Sequence, residues 1–263
     1  MRAVLGAVVV AGLLAVAPVC AQDNTAGAPG QTAQKSCDVH GDLLNPGDTS
    51  LDKVAAAVKE RKKLEVMVVG SGSSSIASPD GASLAYPARF EVYLRGRLPG
   101  VEVNVTTNLQ PKKTAEEVAD ALHTLVTERK ADLIIWQTGT VDAIRTIHPD
   151  DFRNAVDEGI TAIKSAGSDA VLMNLQFSPR METMLPTTPY LDNIRAVAQQ
   201  QDVPLFDRYS IMQQWNENGV FDLSNSSRSF ALAKSVHDCL GKALAGLVVA
   251  AAKLDGAEPK VQH

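Results

Sequence analysis

The sequence is short of positive charge, histidine and cysteine: among 263 residues, 25 Lys and Arg stand against 30 Asp and Glu, with 5 His and 3 Cys. Without a basic excess or a basic run, nucleic acid is a poor partner for it. No two histidines stand at metal-ligand spacing, which argues against a zinc site. Gly70-Ser71-Gly72 lacks both the later glycine of a dinucleotide fingerprint and the lysine of a P-loop, and no cofactor is expected. No internal repeat and no linker interrupt the body of the chain. Residues 4–16 and 243–252 are apolar but short of the roughly 20 residues a membrane span needs, and the second run reads as a buried part of a terminal helix.

What is present begins with a leader. Arg2, the apolar stretch 4–16 and Pro18-Val19-Cys20-Ala21 have the three regions of a secretory signal peptide, with cleavage after Ala21. A membrane anchor fits the short run less well, and Pro18-Val19 before Cys20 is a poor lipobox. The expected product is periplasmic or secreted, with no integral membrane span. Cleavage removes Cys20 and leaves Cys37 and Cys239, an even pair that an oxidising compartment favours as a disulfide. The alternative is a buried free Cys239 and a solvated Cys37. Residues 22–49 have no apolar periodicity and read as a flexible segment, residues 50–256 as one folded domain, and 257–263 as a tail.

Within the domain, apolar patterns alternate in period. A helix is expected over 50–62, with Ser50 as its cap, then a strand at 64–69. A helix over 84–98 stopped by Pro99-Gly100 precedes a second strand at 101–105. Thr114-Ala115-Glu116-Glu117 is a capping box that opens the next helix. Strands at 132–136, 170–175 and 203–206 alternate with helices over 149–166 and 188–201, and helices near 209–217 and 229–254 follow. Five strands joined by helical crossovers predict a parallel sheet covered on both faces, a three-layer α/β/α sandwich of flavodoxin-like type.

The feature that carries chemistry is Leu64-Glu65-Val66-Met67-Val68-Val69-Gly70-Ser71-Gly72-Ser73-Ser74-Ser75, a strand that empties into serines. Ligands gather at the carboxyl ends of parallel strands, which makes this a candidate nucleophile loop. Ser73 and Ser74 are the candidates; the competing reading is a tight turn, or an anion nest of backbone N–H groups. A serine nucleophile needs an imidazole to take its proton, and His237 in the last helix is placed to supply one. Phe177, Arg180 and the stretch 181–189 follow a strand and are candidates to shape a pocket. Asp142 and Arg145, three residues apart, read as an ion pair.

The order of these parts resembles the SGNH, or GDSL-type, hydrolase family over residues 64–254. The matching features are the Gly-Ser loop, then Tyr86-Pro87-Ala88-Arg89-Phe90, then Gly139-Thr140-Val141-Asp142, and His237 with Gly241 four positions on. The resemblance implies the flavodoxin-like sandwich and hydrolysis of esters, thioesters or acetylated sugars. It makes His237 the general base and Ser73 the preferred nucleophile, with Gly72, Gly139 and Asp142 on the oxyanion rim. The substrate expected is a small-molecule or carbohydrate ester, such as an acyl or acetyl group on a cell-envelope carbohydrate or lipid. Val141 stands where the family has an oxyanion-donating asparagine, and Lys234 where it has the acid three residues before the histidine. Gln137, Asn108 or Lys112 would have to replace the donor, and Asp238 or Asp222 the acid. The alternative function is a degenerate member that keeps the fold for a binding or structural role.

Overall fold

The computed structural model describes residues 37–224 and 229–254. The signal-peptide reading of residues 1–21, the stretch 22–36 and the tail 257–263 lie outside the described residues. Among those described, no helix is long and apolar enough to cross a membrane.

Five parallel strands form one sheet in the order β2-β1-β3-β4-β5. They are β1 (Lys63–Gly70), β2 (Glu102–Leu109), β3 (Leu133–Gln137), β4 (Asp169–Met173) and β5 (Leu205–Phe206). The helices are α1 (Asp52–Ala56), α2 (Gly81–Leu84), α3 (Tyr86–Arg97), α4 (Ala115–Arg129), α5 (Thr140–Arg145), α6 (Pro149–Ser165), α7 (Pro179–Met184), α8 (Thr188–Gln200), α9 (Arg208–Glu217) and α10 (Phe230–Ala251). Helix α10 lies against α3, and α4, α6 and α8 lie side by side, giving a helical layer on each side of the sheet. This is the α/β sandwich expected from the alternation of strands and helices.

Burial explains the strand sequences. Every residue of β3 is buried, and β1 is buried from Val66 onward, so both read as unbroken apolar runs. Edge strand β2 has one open side and carries Glu102, Asn104 and Thr106. Strand order reverses between β1 and β3, and there the serine loop and Gln137 emerge together at the carboxyl edge.

Several local expectations are corrected. Leu51, not Ser50, occupies the cap position of α1, and the Asp169 carboxylate accepts from Val54 N at 3.0 Å, satisfying a first-turn amide. The helix expected over 84–98 is broken at Ala85, which is extended. Pro87 lacks an N–H and its ring would collide with a preceding turn, so α2 stops and α3 starts afresh at Tyr86. Residues 179–184, in the stretch read as a loop after a strand, form a short helix, and residues 140–145 form another. Residues 37–49, whose composition reads as flexible, are held against the body: Cys37 is bonded to Cys239, and Trp215 Nε1 donates to the Asp38 carbonyl at 3.2 Å.

The disulfide brings Cys37 and Cys239 to a Cα–Cα distance of 5.3 Å. Gly241 sits one turn from His237 on α10, where an added Cβ would lie 2.6 Å from both Arg89 Cβ and Phe90 N of α3. Helices α3 and α10 therefore approach as closely as a missing side chain allows.

Candidate active site

The serine loop leaves β1 as a single turn of 3₁₀ helix over Gly72–Ser74. Beneath it lies the buried amide of Gln137, the last residue of β3. Gln137 Nε2 donates to Ser71 Oγ at 3.0 Å, and its Oε1 accepts from Ser73 Oγ at 3.4 Å and from Ser74 Oγ. One amide thus ties three serines. Gln137, weighed from sequence as an oxyanion donor, is engaged in holding the loop.

The two candidate nucleophiles are placed differently. Ser74 is only 1 % exposed, and its hydroxyl is enclosed by Gln137 and the Tyr86 hydroxyl at 3.1 Å. Ser73 instead lines a cavity of about 790 Å³, which it shares with Gly72, Gln176, Arg208 and His237. Ile76, Met212, Leu223, Phe230, Leu232, Val236 and Leu240 supply apolar lining. That volume suits a small organic ligand.

His237 comes from α10, and its position follows from the break before α3. Tyr86 is the first residue of a helix, so its N–H has no partner within that helix. It donates to His237 Nδ1 at 2.9 Å, and the two rings stack with centroids 6.0 Å apart. With Nδ1 accepting, the proton of the neutral ring sits on Nε2. Burial, and then the nearby Arg208 charge, push the imidazole down to about 4, so it is neutral at pH 7.

The acids weighed as partners for His237 are engaged elsewhere. Asp238 accepts from Arg89 Nε at 2.5 Å and from the Tyr93 hydroxyl at 2.8 Å. Asp222 accepts from Ser224 N at 3.1 Å. The ring is therefore oriented by a backbone amide, not by a carboxylate. Lys112 takes a left-handed backbone, and Asn108 Oδ1 accepts from Gln110 Nε2 at 2.5 Å.

Gly139 and Asp142 line a separate small cavity with Gly70, Ser71 and Gln137, not the one that holds Ser73 and His237. Gly139 has φ +94° at the start of α5, a conformation that favours glycine. Asp142 is buried and accepts from Ala115 N at 2.8 Å, capping α4. Burial raises its carboxyl against the bonds from the Ala115, Asp142 and Gly139 amides. The ion pair expected between Asp142 and Arg145 is not formed; Arg145 Nη1 reaches Glu117 at 3.3 Å. Phe177, weighed as a pocket residue, is buried edge-on against Tyr209, and its neighbour Gln176 lines the cavity instead.

Arg208 is the residue that the sequence reading missed. It opens α9 directly after β5, is 1 % exposed, and places Nη1 3.3 Å from Ser73 Oγ. Its only sequence signal is a charge placed where a strand ends, in Leu205-Phe206-Asp207-Arg208. Among the described residues no group of His, Cys, Asp and Glu could hold a metal ion.

The model of the non-GDSL lipase-like family matches residues 36–254. No curated protein sequence matches the chain. Among solved structures, a two-domain esterase active on acetylated mannans superposes with a TM-score of 0.65 at 10% identity, covering 86% of this chain and 61% of the other. A catalytic mutant of Axe2, an acetylxylan esterase from Geobacillus stearothermophilus, gives 0.57 at 16% identity over 70% and 94% of the two chains. A lipase/acylhydrolase from Enterococcus faecalis gives 0.53 at 19% identity over 70% and 96%. At these identities the likeness is one of fold.

Proposed function

The chain belongs to the non-GDSL lipase-like family, and from that premise we propose that it is an exported serine hydrolase acting on small-molecule or carbohydrate esters. Ser73 is the nucleophile and His237 the proton acceptor. The observation that carries this reading is that Ser73 and His237 line one cavity, with a guanidinium on the serine oxygen. Ser73 Oγ attacks the ester carbonyl, its proton passes to the imidazole, and the carbonyl electrons move onto the oxygen. Arg208, itself buried, stabilises that charge. The imidazolium protonates the departing alcohol, and water then cleaves the acyl-serine by the same steps. The imidazole is in its proton-accepting neutral form at pH 7, and its lowered value makes it a weaker base than an ordinary histidine. Export rests on the leader pattern and agrees with a disulfide. The acetylesterases among the structural neighbours favour a short acyl group.

One observation favours the degenerate alternative, in which the cavity binds without turnover. Nδ1 of His237 already accepts from Tyr86, which puts the ring proton on the nitrogen that would have to receive the serine's. Base chemistry at Nε2 requires that proton on Nδ1 and the Tyr86 bond broken. In a catalytic triad the acid holds the ring in the opposite tautomer, and its replacement costs about 10⁴ in kcat.

Turnover of p-nitrophenyl acetate and labelling by a fluorophosphonate separate the two. Hydrolysis is expected to leave an adduct on Ser73 and to be abolished in S73A and H237A. Wild-type turnover in S73A, S74A and H237A would reject the catalytic assignment. Neither adduct nor turnover, with the fold intact, would favour the binding role.

A further inference from the structure

Helices α9 and α10 both line the cavity that holds Ser73: Arg208 and Met212 come from the first, and Val236, His237 and Leu240 from the second. The chain joins the two helices through residues 218–229. A second connection comes from the other end of the sequence. Cys37 is bonded to Cys239 of α10, which lies within three positions of Val236, His237 and Leu240. The carbonyl of the next residue, Asp38, accepts from Trp215 Nε1 of α9 at 3.2 Å and from Gln214 Nε2 at 3.4 Å. His40 N in turn donates to Gln214 Oε1 at 3.1 Å. Two adjacent residues of one segment therefore hold one helix each.

The attachment to α9 falls on the face that lines the cavity. Arg208, Met212 and Trp215 stand at i, i+4 and i+7, a spacing that puts them on one side of a helix, and all three are buried. Trp215 also holds the chain where it leaves α9. Its ring meets Phe221 edge-on at 5.5 Å, and its carbonyl accepts from Val220 N at 2.8 Å, just ahead of Leu223, another lining residue. The first turn of α9 is tied to the sheet instead, where Tyr209 N donates to Asn174 Oδ1 at 2.9 Å. The segment from Cys37 thus serves the far end of α9, and Val39, Leu43 and Leu44 pack it against the core.

We propose that residues 37–40 are a clip that fixes the separation of α9 and α10 and with it the width of the cavity. This differs from the chain-entropy effect of a disulfide, which acts on the unfolded chain and leaves native distances unchanged. The inference stands whether or not Ser73 turns over an ester.

Pulsed electron–electron distance measurement on the full chain tests this, with spin labels attached through p-acetylphenylalanine at the exposed positions of Glu217 in α9 and Lys234 in α10. Cys37→Ser is expected to lengthen and broaden the distance between the labels. Gln214→Ala combined with Trp215→Phe, which keeps the disulfide and removes the three hydrogen bonds to α9, is expected to do the same. Circular dichroism establishes that each variant is folded. An unchanged distance in folded Cys37→Ser would overturn the clip, even where that variant melts lower, because a lower melt alone is the chain-entropy effect. Should Cys37→Ser not fold, the double variant decides, and an unchanged distance there would overturn it equally. The readout is a distance in the native state, so loss of ester turnover neither supports nor weakens it.

Discussion

The backbone N–H of Tyr86 donates to Nδ1 of His237 at 2.9 Å, joining residues 151 apart in the chain. The bond exists because Pro87 forces a new helix to begin there, leaving an amide unsatisfied, and because Gly241 lets α10 come close enough to answer it. It decides which ring nitrogen carries the proton.

The His237 imidazole, lowered from 6.5 to about 4 by burial and Arg208, makes stability depend on pH. Between these values the unfolded chain binds a proton that the folded one refuses. Stability is therefore full above about 6.5 and falls as pH drops toward about 4, by at most about 3 kcal/mol at roughly 1.4 kcal/mol per pH unit. Urea melts between pH 4 and 7 should show this slope, and His237→Gln should remove it. If His237 is the catalytic base, the acid limb of kcat/KM should lie near the lowered value, not near 6.5.

Gly241→Ala places a methyl group 2.6 Å from Phe90 N and 2.8 Å from Arg89 C, backbone atoms that cannot turn aside. Alanine gains about 1 kcal/mol of helix propensity, but overpacking costs about 1–3 kcal/mol and wins. The variant should melt lower. Amide exchange at Tyr86 should quicken as the two helices part, and unchanged protection there would contradict the coupling.

The Cys37–Cys239 bond spans a sequence separation of 202, and a loop of that size confers about 5 kcal/mol by chain entropy, more than most measured bonds deliver. Reduction, or Cys37→Ser, is expected to cost about 2–5 kcal/mol in a chemical denaturation series. Equal midpoints with and without reductant would show that 37–49 adds nothing to the body.

Asp142→Ala leaves the Ala115 N–H at the start of α4 without its acceptor. The loss of a buried partner of this kind costs about 1–3 kcal/mol. A drop in melting temperature within that range would fit a capping role, whereas an unchanged melt with slower ester turnover would return Asp142 to the oxyanion rim.

Legibility followed burial and locality. The strands of the central sheet were readable because both faces are covered and the code is then a simple apolar run, as in β3. The capping box at Thr114 and the stop at Gly100, with φ +80°, are chosen by residues within a few positions. Helix ends set by distant groups were not readable. Asp169 caps α1 from 115 residues away, so Ser50 drew the prediction and Leu51 the position.

The sequence by itself determined the layered α/β fold and the serine loop at a strand's carboxyl end, since periodicity and turn chemistry are local properties; it left the pairing of Cys37 with Cys239 as one of two readings, and the structure bonds them. Tertiary structure alone decided that Ser73 lines the cavity while Ser74 is enclosed by Gln137 and Tyr86. It also gave His237 an amide partner in place of an acid, and left Arg208 buried with two unpartnered N–H groups. Those outcomes depend on which surfaces meet, and a burial-driven charge state has no counterpart in the order of residues along the chain.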